Sequence, residues 1–467
     1  MLLATTVLTH AAPTPQPVPV ARIMARAIDE IRRSAVDPVP IRTLLVKGIA
    51  GIQTAGLPLD PRQRELLNRA AETLSHDGEE SAQTAAFAGT IEAVRTGSRP
   101  DDPVVTAAIR GLASSIGGQS DYLPPAPAQP AGSRRMGSLG LEIGTRDGAP
   151  VVIRPLPGTP AERGNLRAGD RIQALDGRPV AGLALTDVIG RMRGPVGSKA
   201  IITVKRADAA LPVVLTLRRD IIRTRSVRFA LLDRIAYLRI DSFGETAVAE
   251  LHTARAEAAA RTGGAPLDGV VVDLRDNGGG ILQAAAETAG DFLPVGDTVA
   301  SLRGRTAADN AVFQGTGDVT EHLPLVVLVN RKTAAGAEIV AGALQDHRRA
   351  VVLGVRTAAY GFVRTAIPLP ETGGMLMVAS SRIFLPSGRA IDGVGIVPNF
   401  VIRRTDDAAH DSEPPPPRPD LSSVGAQIVT QPSPGEPEPD ASRPERDFEV
   451  VQAMKLVEAL RNVRAMP

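Results

Sequence analysis

The sequence predicts a mixed α/β fold: an α/β core, a β-rich unit inserted ahead of it, and a helical N-terminal region. Three observations predict it. Residues 223–404 alternate apolar strands with helices, as in "LDGVVVDLRDNGGG" followed by "ILQAAAETAGDFL", an order that places parallel strands at the centre of a sheet. Residues 136–222 hold short strands punctuated by glycine turns. Residues 19–125 carry apolar residues at helical spacing, with Met24, Ile28, Ile31 and Ala35 as the clearest stripe. A chain of 467 residues has room for several such units.

The elements follow in order. "MLLATTVLTHAAPTPQP" has a short apolar stretch, then small residues and prolines, but no basic start. Residues 1–18 therefore read as an export segment, with a misplaced start or a disordered tail as the alternative. After the helical region, "PPAPAQPAGSRR" is a linker by composition. In the β-rich unit, "SLGLEIG" is a strand entered through glycine. Thr159 is placed to cap a helix that begins at Pro160, with Glu162 completing a capping box and Gly164 ending the helix. Asp176-Gly177 reads as a hairpin turn, "LTDVIGRMRG" as a helix, and "KAIITVKR" and "PVVLTLRR" as closing strands. Residues 405–446, rich in Pro, Asp, Glu and Ser, are expected to be disordered. Residues 447–463 return to helix, and the stripe Val450, Met454, Val457 and Leu460 predicts that it docks or binds a partner.

Composition narrows the function. The formal charge is +2, aromatic residues are 3%, and there is no dense Lys/Arg tract, so nucleic acid is not an expected partner. With no cysteine, disulfides, thiolate catalysis and Cys-ligated zinc are excluded. The six histidines are scattered without a metal-binding pattern. No metal and no cofactor is expected, and no run reaches the ~18 apolar residues of a membrane span.

The most informative stretch is "LVVLVNRKTAAGAEIVAGALQDH", Leu325 to His347. It reads as a buried strand, a tight loop and a helix, the junction where α/β proteins place a reactive or anion-binding group. Yet Thr333, Ala334, Ala335, Gly336 and Ala337 offer almost no reactive side chain.

Taken in order, these stretches resemble the carboxyl-terminal processing peptidases, or tail-specific proteases, of peptidase family S41. "SLGLEI", "GTPAERGNLRAGDRIQALDGRPV" and "RMRGPVGS" resemble the family's PDZ domain. "VVVDLRDNGGGIL" resembles its Asp-Leu-Arg-x-Asn-x-Gly-Gly loop, and "AEIVAGALQDHRRAVVLGVRT" with "LPSGRAIDGVGIVPN" its later core. The resemblance spans roughly Ala35 to Asn399.

The departures fall on the chemistry. The family's nucleophile is the middle serine of Ser-Ala-Ser-Ala-Ser-Glu; aligned on Glu338, that position is Ala335. Its lysine base, in a Thr-Phe-Gly-Lys-Gly setting, corresponds to Tyr360 of "TAAYG", and the assisting glutamine to Arg364. An alanine has no nucleophilic atom, and a phenol of ordinary pKa about 10 is a poor base near neutrality. The resemblance implies oxyanion-hole amides at Gly279 and Gly336. It also implies a carboxylate-binding PDZ loop at Leu139, Gly140 and Leu141, with the strand through Ile143 pairing with a peptide. The expectation is a catalytically silent relative, periplasmic or secreted, with a cytoplasmic location as the alternative. Its partners would be peptide or protein C-termini, an active homologue or another envelope protein. Two alternatives stand beside it. One is an active endopeptidase with a relocated nucleophile, Thr333 beside Lys332, although Thr333 is also placed to cap the next helix. The other is an assembly protein with both grooves closed. Ser380, Ser381 and Ser387 read as structural.

Overall fold

The computed structural model describes residues 19–95, 97, 102–117, 120–125, 136–146, 149–156, 158–183, 185–222, 225–320, 322–402, 428–429 and 444–464. The expected export segment, residues 1–18, lies outside them, as do most of the linker at 124–135 and most of 405–446. The chain forms two compact units: residues 127–225, and the rest.

The helical region comprises α1 (Val20–Ser34), α2 (Ile41–Thr54), α3 (Pro61–Leu74), α4 (Glu80–Val94) and α5 (Pro103–Ser114). The predicted stripe is its core: Met24, Ile28, Ile31 and Ala35 are all buried. Two helices start with proline in the first turn, where no backbone donor is needed, after aspartates that accept the Gln63 and Val104 amides. A short strand, β1 (Asp121–Leu123), follows.

The inserted unit contains β2 (Met136–Gly137), β3 (Leu141–Arg146), β4 (Ala149–Pro155), α6 (Pro160–Arg163), β5 (Arg171–Leu175), β6 (Arg178–Pro179), α7 (Leu185–Met192), β7 (Gly194–Pro195), β8 (Lys199–Lys205) and β9 (Val213–Arg218). Its main sheet runs β3-β4-β5-β8-β9, all antiparallel, over a core that includes Leu139, Val152, Ile172, Val188 and Ile202. The expected capping box does not form. The Thr159 hydroxyl donates to the Gly140 and Leu156 carbonyls, and Glu162 accepts the Gly158 amide instead. Thr159 is needed to hold the loop at Gly140, which removes it as a cap.

The core contains β10 (Val227–Leu232), β11 (Ile235–Ile240), α8 (Ala247–Arg261), β12 (Gly269–Asp273), α9 (Leu282–Gly290), β13 (Thr298–Gly304), β14 (Ala311–Gln314), β15 (Leu325–Val329), α10 (Gly336–Asp346), β16 (Val351–Gly354), β17 (Phe362–Leu369), β18 (Gly374–Phe384), β19 (Phe400–Ile402), β20 (Ile428–Val429) and α11 (Phe448–Arg464). Its first sheet runs β10-β11-β12-β15-β16-β19-β20, parallel except for the antiparallel edge strand β10. Both faces are covered, which is why its central strands read as unbroken apolar runs. Alternate residues go to opposite faces: Leu325, Val327 and Val329 pack with α8, α9 and α10, whereas Val326 and Leu328 meet Val450, Ala453 and Val457 of α11. The C-terminal helix thus docks on its own chain, with Met454 and Leu460 at the margin of the contact.

A second, antiparallel sheet runs β1-β18-β13-β14, with β17 also on β18. Because β1 belongs to it, the helical region and the core are joined. Leu369, Leu376 and Val378 complete the helical core beside Tyr122. Two stretches within 405–446 depart from the expected disorder: β20 extends the first sheet, and residues 444–446 form a 3-10 turn leading into α11.

Candidate active site

The junction after β15 is a sharp elbow. All five residues of β15 are buried, and α10 begins at Gly336. Between them Ala335 adopts φ 51° and ψ −114°, a combination that L-residues avoid and that costs about 1–3 kcal/mol unless the surroundings enforce it. Here they do. The Ala335 amide donates to Glu338 Oε2 at 2.9 Å, and the Ala334 amide donates to the Asn277 carbonyl at 2.9 Å.

Glu338 also holds the loop at Tyr360. Its fully buried carboxylate accepts the Thr357 hydroxyl at 2.5 Å and the Ala359 and Tyr360 amides at 2.8 Å each. Burial pushes its pKa above the ordinary carboxyl value, and the four donors oppose that rise. One side chain therefore braces both Ala335 and Tyr360, the positions expected to match the family's nucleophile and base. In the sequence Glu338 serves only to align the loop; the signal for its role is a lone carboxylate inside "AEIVAGAL". Tyr360 has its amide in this bracing and remains 41% exposed. Arg364 lies on β17, exposed, at an irregularity in the pairing with β18.

The two expected oxyanion donors are brought together but are not equivalent. Gly279 has φ 97°, and a Cβ there would lie 2.9 Å from the Ala335 Cβ and 3.0 Å from the Gly336 nitrogen. Only glycine fits this approach. The Gly279 amide, however, donates to Asn277 Oδ1 at 2.8 Å. Of the two expected donors, Gly279 is thus engaged by a buried Asn277, whose Nδ2 donates to the Ile240 carbonyl. Among the described residues the Gly336 amide has no acceptor.

Behind the glycine loop lies a buried ionic cluster that the sequence did not suggest. Arg275 donates to Asp273 through its amide, Nε and Nη2 at 3.0, 2.9 and 2.6 Å, and reaches Asp447 at 3.1 Å and Glu449. Asp273 also accepts the Tyr237 hydroxyl at 2.7 Å and Arg239 at 3.2 Å. Burial alone would raise the Asp273 pKa, but Arg275 and Arg239 outweigh it and hold the carboxyl at about 2. Burial and the Asp273 charge push the Tyr237 phenol up.

Thr333 is fully buried. Its hydroxyl donates to the Leu274 carbonyl at 2.8 Å and accepts the Asn330 amide at 2.9 Å. It does not cap α10, because its hydroxyl is committed to Leu274 and Asn330. Lys332 points to solvent beside Asp276 at 3.7 Å. Ser380 meets Thr365, Ser381 donates to the Asp309 carbonyl, and the Ser387 amide donates to Asp346.

In the inserted unit, Leu139 is fully buried and Gly140 has φ 73°. A Cβ at Gly140 would come within 2.4 Å of Thr159. Among the described residues, neither the Leu139 amide nor the Gly140 amide has an acceptor. Leu141 and Ile143 are half-buried on β3, an edge strand of its sheet. That edge and α7, with Val188 and Met192 buried, lie against one another, as the walls of a PDZ groove would.

Among the described residues, no cluster of His, Asp or Glu could hold a metal, and no helix is long and apolar enough to cross a membrane. Residues 234–402 match the peptidase family S41 model, and residues 151–206 match a PDZ domain model. A carboxy-terminal-processing protease of Bartonella bacilliformis is 34% identical over 343 residues, covering 72% of this chain and 79% of that protein. A carboxyl-terminal-processing protease of Synechocystis is 33% identical over 262 residues, covering 54% and 59% respectively. Of the solved structures, the chain is similar to a photosystem II D1 C-terminal processing protease (24% identity, 82% of this chain and 93% of that one, TM-score 0.44). The chain belongs to peptidase family S41, as a relative of the carboxyl-terminal processing proteases that carries a PDZ domain.

Proposed function

We propose that this protein is a non-catalytic member of its family that binds peptide or protein C-termini through the PDZ groove. The observation that carries the reading is Ala335: the strained elbow is kept, but its side chain has no hydroxyl. Acyl transfer at a serine–lysine site needs a hydroxyl to attack and a neutral amine to take its proton. Here the elbow presents a methyl group, and the amine position presents a half-exposed phenol. Removing the nucleophile of a serine protease costs roughly 10⁶ in kcat. The buried, doubly bonded Thr333 hydroxyl, with no amine beside it, argues against a relocated nucleophile. The occupied Gly279 amide leaves the core groove a poorer peptide cradle than the PDZ unit. Within this reading the protein acts in the periplasm or outside the cell, beside an active homologue or another envelope protein.

The test uses the full chain with a fluorophosphonate probe and a protein substrate bearing a disordered C-terminal tail. No labelling and no turnover are expected, together with binding of free-carboxylate peptides that is lost on amidation. Turnover that disappears in Thr333→Ala would overturn the proposal.

A further inference from the structure

Charge is distributed unevenly between the two units. Residues 127–225 hold 17 Lys and Arg against eight Asp and Glu; the whole chain holds 53 and 51, so the remainder carries 36 against 43. The inserted unit is therefore strongly basic within a nearly neutral protein.

Local pairing sharpens the excess. Most acidic groups of the unit are already engaged: Glu142 by Arg154 at 2.7 Å, Asp170 by Arg206 at 2.7 Å, Asp176 by Arg219 at 2.9 Å, Asp208 by Arg167 at 3.3 Å and Asp220 by Arg163 at 3.5 Å. Arg146, Arg191 and Arg193 are exposed and make no ion pair among the described residues. Arg146 ends the edge strand β3, Arg191 lies on the last turn of α7, and Arg193 follows that helix. The end of β3 and the end of α7 thus carry positive charge that no acid among the described residues neutralises, with Arg191 donating to the Pro179 carbonyl at 3.4 Å. The acids that remain are Asp187, on the first turn of α7, Glu162, which accepts the Gly158 amide, and Asp147, next to Arg146 in the sequence.

We infer that the PDZ groove selects C-terminal tails with acidic residues upstream of an apolar end. The inference rests on the proposed binding of C-termini and adds their chemistry. A tail pairing antiparallel to β3, with its carboxylate at the Leu139–Gly140 turn, advances one residue per strand residue. It brings a position roughly five residues before its end opposite Arg146. The half-buried Leu141 and Ile143 suit an apolar last side chain, and the surplus charge favours acidic partners and speeds their encounter.

The experiment is fluorescence anisotropy on the full chain with three labelled peptides. They share an apolar C-terminal tetrapeptide and carry Glu, Ser or Lys at the three preceding positions. The Glu peptide is expected to bind roughly 10-fold tighter than the Lys peptide in low salt, a gap that narrows in high salt. Arg146→Glu with Arg191→Glu should close or reverse the gap while the Ser peptide still binds, which also shows that the variant is folded. Equal binding of the three peptides, or preference for Lys, overturns the inference and leaves C-terminal binding standing. Failure of every free-carboxylate peptide to bind overturns both.

Discussion

The Glu338 carboxylate accepts the amide proton of Ala335 at 2.9 Å, from three residues further along the chain. The same carboxylate accepts the Tyr360 amide at 2.8 Å. The two positions that the proposed function takes as those of a replaced nucleophile and base are therefore held by a residue that needs no chemistry itself. On that proposal, replacing the reactive side chains leaves this frame intact, because it is made of three backbone amides, the Thr357 hydroxyl and one buried acid.

Removal of that acid should be costly. Glu338→Ala would strand four donors in the interior, a loss of about 4 kcal/mol. Glu338→Gln keeps one acceptor oxygen but aims an NH₂ at other donors, and should cost about 2 kcal/mol. Urea unfolding of the two variants checks the order. A loss below 1 kcal/mol for both would show that the elbow is held elsewhere.

Ala335→Gly should stabilise the protein. The φ and ψ of Ala335 are accessible to glycine without strain. Relief of about 1–3 kcal/mol is offset by the greater freedom of glycine in the unfolded chain, about 0.4–1 kcal/mol. A net gain of about 1 kcal/mol in urea unfolding is expected, where glycine in the interior of a helix would normally cost that much.

The parallel sheet was legible because "LVVLV" and "VVVD" are apolar on both faces, a pattern that only a doubly covered strand requires. Strands β1, β4 and β19 have no counterpart among those read from the sequence, and neither do β10, β13, β14 and β17. Three of them, β10, β14 and β17, pair at sheet edges and are largely half-exposed, and β14, which does alternate, is only four residues long. The elbow was legible from the strand, loop and helix order around Ala335. The engagement of Gly279 was not, because the bond from its amide to Asn277 depends on how a side chain folds back on its own loop. Nor could the sequence pair Arg275 with Asp447, 172 positions away.

Acid should weaken the core through Asp273. Its folded pKa, about 2, lies below the ordinary 3.8, so the native state binds fewer protons than the unfolded state between these values. The contribution is present above the unfolded pKa and is lost as pH falls from about 4 towards 2, about 2 kcal/mol in all. Glu338 has the opposite sign: its raised pKa makes its contribution largest in acid, declining as pH rises through that value. Stability measured between pH 5 and pH 2 should fall more steeply in the parent protein than in Asp273→Asn. Equal slopes would contradict the assignment.

Docking of α11 should depend on Arg275. Its guanidinium joins the glycine loop, through Asp273, to Asp447 and Glu449 at the start of that helix. Arg275→Met leaves the two terminal acids and Asp273 facing one another without their shared cation, and breaking a buried pair in this way costs about 3–5 kcal/mol. Val450, Ala453 and Val457 would still favour contact with the sheet, so the loss should appear as local opening rather than unfolding. Hydrogen exchange should therefore accelerate in α11 of the variant, and in the loop from Leu274 to Gly280 that Arg275 anchors, while β12 and β15 keep their protection. The triple variant Arg275→Met, Asp447→Asn, Glu449→Gln removes the unpaired acids as well and should recover part of the protection of α11. If exchange in the helix is unchanged by Arg275→Met, apolar packing alone holds it, and the ionic cluster serves only the loop.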